Sequence, residues 1–328
     1  MNEKPQIALF TDRFHNDEAG GIAVWAKGLS RQLVLRGYDV TVYTRSKGNA
    51  HLGFPVKIKY MRGRDWNKTK SFISMIYQKL FILKNRNPLI IASTWKYLRL
   101  THALKPFFKF RTAVFAHSRE IAKIDSKKAG TVARIIEKTD GFFAVSYFIK
   151  NMVTDKLNRS DLSQKIDVLN SGVDEEKFSP GSRPANILKE HNIDPDANII
   201  LSVGRILPIK EYETTLKAIQ SLLHEQNHDI HYIIVGPIDE SGDYYNYLRQ
   251  LISEFNIGQY VHFAGHKNED ELVEYYRTAD LFVQTTGRDK GTGQEEGFPL
   301  TVLEAQSCGL PAVVTNSGGM PEIVENGK

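Results

Sequence analysis

The sequence predicts an α/β protein made of two doubly wound domains, each a parallel sheet with helices on both faces. Three observations lead there. Short apolar runs rich in Ile, Val and Phe alternate with longer segments of helical period along nearly the whole chain. A polar stretch, GVDEEKFSPGSRPAN (172–186), interrupts that alternation with two prolines and two glycines. The charge balance changes sign across it: residues 1–177 hold 32 Lys+Arg against 16 Asp+Glu, and residues 178–328 hold 11 against 22. A chain of 328 residues can bury two cores of ordinary size. The expected domains are 1–178 and 179–328.

In the first half, strands are expected at 6–12, 39–45, 56–61, 89–94, 112–117, 141–146 and 165–170, with helices at 22–36, 71–84 and 147–157. In the second half, strands are expected at 198–204, 231–236, 261–265, 280–286 and 311–316. Helices are expected there at 212–226, 243–255, 269–279 and 300–308. Strands that are apolar throughout, not alternating, belong to sheets buried on both faces. Ligands of such sheets bind beyond the carboxyl ends of the strands, so the loops after strands should carry the chemistry.

Composition narrows the function. No run approaches the ~18 apolar residues that cross a bilayer. The N-terminus enters a strand without a basic n-region or cleavage site, so a cytosolic protein is expected. One cysteine, Cys308, excludes an internal disulfide and a cysteine-based zinc site. The basic first half could face nucleic acid, anionic lipid or an acidic substrate.

Three loops stand out. After the first strand, Gly20-Gly21 precede a helix; the pair suits close approach of an anion to helix N-terminal amides, and equally a plain turn. After 198–204, Arg205 and Lys210 offer a planar fork and a mobile point charge, a pairing that suits a diphosphate; two solvated surface charges are the alternative. The third loop, QEEGFPLTVLE, places Glu296 ahead of a helix with Pro299 in its first turn, so the amides of Gly297, Phe298, Leu300 and Thr301 form an anion site. Glu304 lies eight residues after Glu296, about 80° around a helix. Two carboxylates beside a phosphate site fit sugar and ribose hydroxyls better than phosphate. The alternative makes Glu296 a helix cap and leaves Glu304 solvated.

These loops together resemble glycosyltransferase family 4, whose fold is GT-B, two Rossmann-like domains with the donor in the cleft between them. EGFPLTVLE, Glu296 to Glu304, stands where the family has a Glu, a Gly-Phe-Gly variant and a second Glu after seven residues. GRILPIK matches its Gly-Arg…Lys loop, Gly20-Gly21 its N-terminal glycines, and VLNSGVDEEKFSP its interdomain segment. The resemblance implies a retaining, nucleotide-sugar-dependent transferase. Arg205 and Lys210 would hold the donor diphosphate, Glu296 the donor sugar and Glu304 the ribose. His117, at the end of the strand TAVFAH, would contact the transferred sugar from the acceptor side. Ser146 matches a common family serine with no assigned role. The diphosphate would leave and the acceptor attack on one face, with no obligatory metal, since no Asp-x-Asp stands at a strand end.

Two departures are visible: Ser171 stands where the family usually has Asn, and the sequence stops at PEIVENGK where members continue with a strand and helices. The resemblance implies a glycan or lipid-linked acceptor and no nucleic-acid partner. Lys57, Lys59, Arg62, Arg64, Lys68 and Lys70 precede the apolar segment SFISMIYQKLFIL (71–83). That region could dock on the inner face of a membrane. Otherwise it is a solvated basic face beside an ordinary core helix. A GT-B sugar-nucleotide epimerase and a non-catalytic binding protein are the competing functions.

Overall fold

The computed structural model describes residues 4–14, 20–45, 52–62, 66–226, 229–289 and 291–327. The chain forms two compact units, Met1–Ser171 and Gly172–Lys328.

In the first unit the elements run β1 (Gln6–Thr11), α1 (Gly21–Leu35), β2 (Val40–Thr44), β3 (Lys57–Tyr60), α2 (Trp66–Lys84) and β4 (Pro88–Ala92). They continue with β5 (Arg111–Ala116), α3 (Ser118–Ala122), α4 (Ser126–Lys138), β6 (Gly141–Ala144), α5 (Tyr147–Leu157) and β7 (Ile166–Val168). The sheet is parallel throughout, in the order β3-β2-β1-β4-β5-β6-β7. β1 is buried along nearly its whole length, which is why it reads as continuous apolar sequence. Ile7, Leu9, Val42, Ile91 and Phe115 share one core with Trp25 of α1.

The second unit runs α6 (Ala185–Glu190), β8 (Asn198–Val203), α7 (Tyr212–Gln226), β9 (Ile230–Val235), α8 (Asp243–Glu254) and β10 (Val261–Gly265). It ends with α9 (Glu269–Thr278), β11 (Leu281–Gln284), α10 (Leu300–Ser307) and β12 (Ala312–Val314). Its parallel sheet has the order β10-β9-β8-β11-β12. Successive β8 residues feed opposite cores: Ile199, Leu201 and Val203 one, Ile200 the other.

The boundary falls seven residues before the expected 178/179. Phe178 is buried in the second unit's core, and its carbonyl accepts a bond from Ser307 Oγ at 2.5 Å. Arg277 Nε donates to the Ser179 carbonyl at 2.9 Å. The polar stretch is thus stitched onto the second unit, and its end, from Ala185, is helical. α3 and α4 were not expected, and α2 begins at Trp66, five residues early. Lys70, expected on a basic face, is buried instead. Residues 15–19 of the glycine loop, Arg64 and the side chain of Lys68 lie outside the described residues.

Candidate functional site

In the second unit, three loops at the carboxyl edge of the sheet are tied together. The chain leaves β8 through Gly204, Arg205 and a 3₁₀ turn at Pro208–Lys210, then enters α7. Tyr212, at the start of α7, reaches back to donate to the Gly204 carbonyl at 3.0 Å and closes the loop. Gly236 after β9 must be glycine: a Cβ there would lie 1.9 Å from the Gly204 carbonyl oxygen. Beyond β11, Thr285 Oγ1 donates to the Lys210 and Glu211 carbonyls at 3.2 and 3.0 Å. Gly287 N donates to the Ile209 carbonyl at 3.0 Å. The position of Lys210 is therefore set by backbone bonds on both sides of its loop.

Lys210 Nζ meets Glu296 Oε1 at 3.0 Å, so the cation of one loop and the carboxylate of the next are held as a pair. Arg205 is exposed, and its side chain has no partner among the described residues. Pro299 is the residue before α10, one position earlier than expected, and provides no side-chain cap. The amides of Leu300, Thr301 and Val302 accordingly have no intrahelical acceptor. Glu304 is buried, not solvated; its Oε2 accepts the Tyr276 hydroxyl at 2.8 Å. Burial and the Glu304 carboxylate hold the Tyr276 phenol well above its ordinary range. The two glutamates thus have different partners on different elements.

A clasp fixes the Glu296 loop from the other side. Glu295 Oε2 accepts from Ser317 Oγ and Gly318 N at 3.2 and 3.0 Å, and the Glu296 carbonyl accepts from Gly319 N at 2.9 Å. Gly318 has φ +59°, and a Cβ there would lie 2.3 Å from the Glu296 carbonyl oxygen, so both space and backbone demand glycine. Gln284, at the end of β11, accepts from Thr301 Oγ1 at 2.7 Å through Oε1, while its buried Nε2 has no protein partner. Sequence reasoning missed Tyr276, Gln284, Glu295 and the Gly318 clasp; the trailing TNSGG was its one visible signal.

In the first unit, Gly20 precedes α1 at φ +134°, which excludes most other residues. A Cβ on Gly21 would meet no atom of the described residues within 4 Å. One turn on, Trp25 meets His117 edge-on with ring centroids 5.1 Å apart, which brings the glycine helix and the β5 loop together. His117 caps α3, and its backbone N donates to Glu120 Oε1 at 2.6 Å. Its Nε2 is buried without a partner among the described residues, and burial lowers the imidazole to about 4, so the ring is neutral near pH 7. Burial raises Glu120 to about 7 against the bonds it accepts.

Beside them, Asp12 after β1 accepts from Lys70 Nζ at 2.5 Å and from the Tyr97 hydroxyl at 2.8 Å. Lys70 also lies 4.1 Å from the Tyr97 ring centroid. Burial pushes the Lys70 ammonium below its ordinary range, against the pull of Asp12. Asp12, Lys70 and Tyr97 were not singled out as site residues from sequence. Ser146 has a structural role: its Oγ accepts Ile149 N at 3.2 Å and caps α5. Among the described residues, no group of three or more His, Cys, Asp or Glu side chains could hold a metal.

Comparisons with known proteins agree with this fold. The profile for Glycosyltransferase Family 4 matches residues 19–177, and that for Glycosyl transferases group 1 matches 185–328. D-inositol 3-phosphate glycosyltransferase of Mycolicibacterium gilvum is 35% identical over 164 residues, 50% of this chain and 34% of that protein. The protein of that name from Streptomyces bingchenggensis is 26% identical over 247 residues, 73% of this chain and 50% of that one. The chain's matches thus span between a third and a half of these relatives. Among solved structures, sucrose-phosphate synthase of Thermosynechococcus elongatus has a TM-score of 0.75 at 20% identity, covering 97% of this chain and 82% of that one. HepE of Anabaena, in complex with UDP, has a TM-score of 0.76 at 18% identity, covering 98% and 84%.

Two parallel-sheet units of this kind, with their loops at the carboxyl edges, define the GT-B fold. Within it, the two profiles together span nearly the whole sequence, and the chain belongs to glycosyltransferase family 4.

Proposed function

We propose that this protein is a retaining glycosyltransferase that moves a sugar from a nucleoside-diphosphate sugar to a glycan or lipid-linked acceptor. The observation that carries the reading is the Lys210–Glu296 pair, which joins the two loops expected to hold the two ends of the donor. In the reaction, the bond from the anomeric carbon to the diphosphate breaks and a bond to the acceptor hydroxyl oxygen forms. The hydroxyl proton passes to the departing diphosphate. Arg205, Lys210 and the amides at the start of α10 stabilise the negative charge as it develops. That cationic set makes a metal ion unnecessary in the mechanism. Glu296 orients the donor sugar, Glu304 takes the ribose, and neutral His117 is a hydrogen-bond partner for the transferred sugar. Gly20 and Gly21 let the acceptor or donor phosphate approach the backbone. UDP bound to HepE and the inositol phosphate in the relatives' names support a nucleotide donor and a polar acceptor. The setting we propose is polysaccharide or lipopolysaccharide assembly at the inner face of a membrane, with the enzyme peripheral.

A thermal-shift screen against UDP, GDP, ADP and their sugar derivatives tests this. At least one should stabilise the parent protein, and Arg205→Ala should lose both that stabilisation and turnover while keeping its fold, because Arg205 is exposed. Undiminished stabilisation and transfer by the variant overturn the assignment of Arg205. The absence of any response in the parent overturns the donor reading.

A further inference from the structure

α2 carries an apolar stripe on its solvent side. Phe72, Ile76, Leu80 and Leu83 fall within about 80° of its circumference, and they are 56%, 43%, 49% and 58% exposed. The opposite face carries Lys70, Ser74 and Gln78, exposed 8%, 0% and 0%. Those polar groups are fully engaged. Ser74 Oγ donates to the Tyr97 carbonyl at 3.3 Å and Gln78 Nε2 to the same carbonyl at 3.1 Å; Gln78 Oε1 accepts from Thr101 Oγ1, and Lys70 binds Asp12. Rotating the helix to hide its apolar stripe would break these bonds and carry Phe81 and Ile82, 6% and 5% exposed, out of the core, so the outward orientation of the stripe is held.

An exposed stripe of four large apolar side chains on a locked helix fits a surface that is not water. Its surroundings identify which. Lys79 is exposed on the same face of α2. Lys57, Lys59 and Lys84 line an adjoining groove of about 260 Å³ with Leu80 and Tyr77, where the sole acid lining it, Asp39, is neutralised by Lys57 at 3.0 Å. Apolar side chains flanked by cations match a bilayer interface, whose acyl layer lies just beneath its phosphates. The geometry points to α2 as the face that docks on anionic lipid: Phe72, Ile76, Leu80 and Leu83 enter the headgroup–acyl boundary and the lysines take the lipid phosphates. This gives the proposed peripheral location a specific surface, and it rests on that reading only for the acceptor's address. None of the donor-loop residues takes part.

The test is co-sedimentation of the whole chain with vesicles of phosphatidylcholine, with and without phosphatidylglycerol, at physiological salt. Binding should require phosphatidylglycerol. Phe72→Ser with Leu83→Ser should abolish it, and Lys59→Glu with Lys84→Glu should lower partitioning by roughly 25-fold or more, at about fivefold per lysine. These side chains are exposed, so the thermal transition and the nucleotide response of the variants should match the parent, which separates lipid docking from donor binding. Equal binding to neutral vesicles, no binding, or binding that survives the apolar changes overturns the inference. So does a dimer seen by light scattering that the Phe72 and Leu83 changes dissolve while leaving vesicle binding intact, which would make the face a contact between copies.

Discussion

Replacing Lys210 with methionine should remove most of the protein's affinity for UDP, and replacing Glu296 in the same chain should restore part of it. The two groups lie 3.0 Å apart with side-chain exposures of 13% and 25%. Unit charges at that separation attract by about 5 kcal/mol at an effective dielectric of ~20. Desolvation and residual solvent take back most of this, leaving ~1–2 kcal/mol for the pair. Lys210→Met deletes a charge-assisted bond to the diphosphate, about 1.5–3 kcal/mol, and leaves an uncompensated carboxylate facing it. Together these weaken UDP roughly 10²–10³-fold. Glu296→Gln alone should change UDP affinity by less than ~3-fold, because Lys210 already masks the carboxylate, whereas in the Lys210→Met background it should recover about tenfold. Titration calorimetry of the four proteins at fixed salt completes the cycle. If Glu296→Gln has the same effect in both backgrounds, within ~0.5 kcal/mol, the two side chains do not share a site and the carrying observation fails.

Gly318→Ala should destabilise the second unit by about 2 kcal/mol or more, since the new Cβ would meet the Glu296 carbonyl and the backbone would be strained. Calorimetric unfolding measures the loss, and UDP affinity should fall with it; a neutral substitution would show that the clasp does not hold the loop. The corner formed by His117 and Glu120 makes two opposed contributions to pH dependence. His117 is lowered to about 4, so its contribution is complete above pH ~6.5 and is lost as pH falls towards 4, by about 3 kcal/mol in all. Glu120 is raised to about 7, so the unfolded chain releases its proton first and stability falls as pH rises from ~4.5 to 7, by a similar amount. Relative to the parent, Glu120→Gln should therefore steepen the loss on acidification, and His117→Asn should leave a loss on going to neutral pH. Trp25, Trp66 and Trp95 all lie in the first unit, so tryptophan fluorescence during urea unfolding reports that unit alone. Parallel pH profiles for the two variants would refute the assignment.

Much of the fold was legible because burial on both faces writes strands as uninterrupted apolar runs, as in NIILSVG, and covered helices as stripes. The loops proposed to hold the donor stood out because cations, carboxylates and glycines follow strands there, and the structure ties two of them together through Lys210 and Glu296. What failed was of another kind. α3 is only five residues long, too short to show a period, whereas α4 is 13 residues with an apolar stripe at Val132, Ala133, Ile135 and Ile136 that went unread among its charged neighbours. Phe178 looked like part of a linker because its partners, around Ser307 and Tyr276, are about a hundred residues away. The clasp on Glu295 and the hydroxyl on Glu304 are also long-range contacts. α2 shows a deeper limit. Periodicity finds an apolar stripe but does not say which way it faces, and here bonds from Ser74 and Gln78 to the Tyr97 carbonyl decided it.

The strand orders also bear on how the chain comes off a ribosome. In each unit, the strand synthesised first ends up in the interior of the sheet: β1 between β2 and β4, and β8 between β9 and β11. β9 arrives about thirty residues after β8, but β11 and the Asp280 carboxylate that binds Ile199 N come some eighty residues later. At ~5–20 residues per second, one apolar edge of β8 waits roughly 4–16 s for its neighbour. A nascent second unit is therefore a half-sheet with a sticky flank, and arrest of translation between β9 and β11 should populate an aggregation-prone species that the finished protein never exposes.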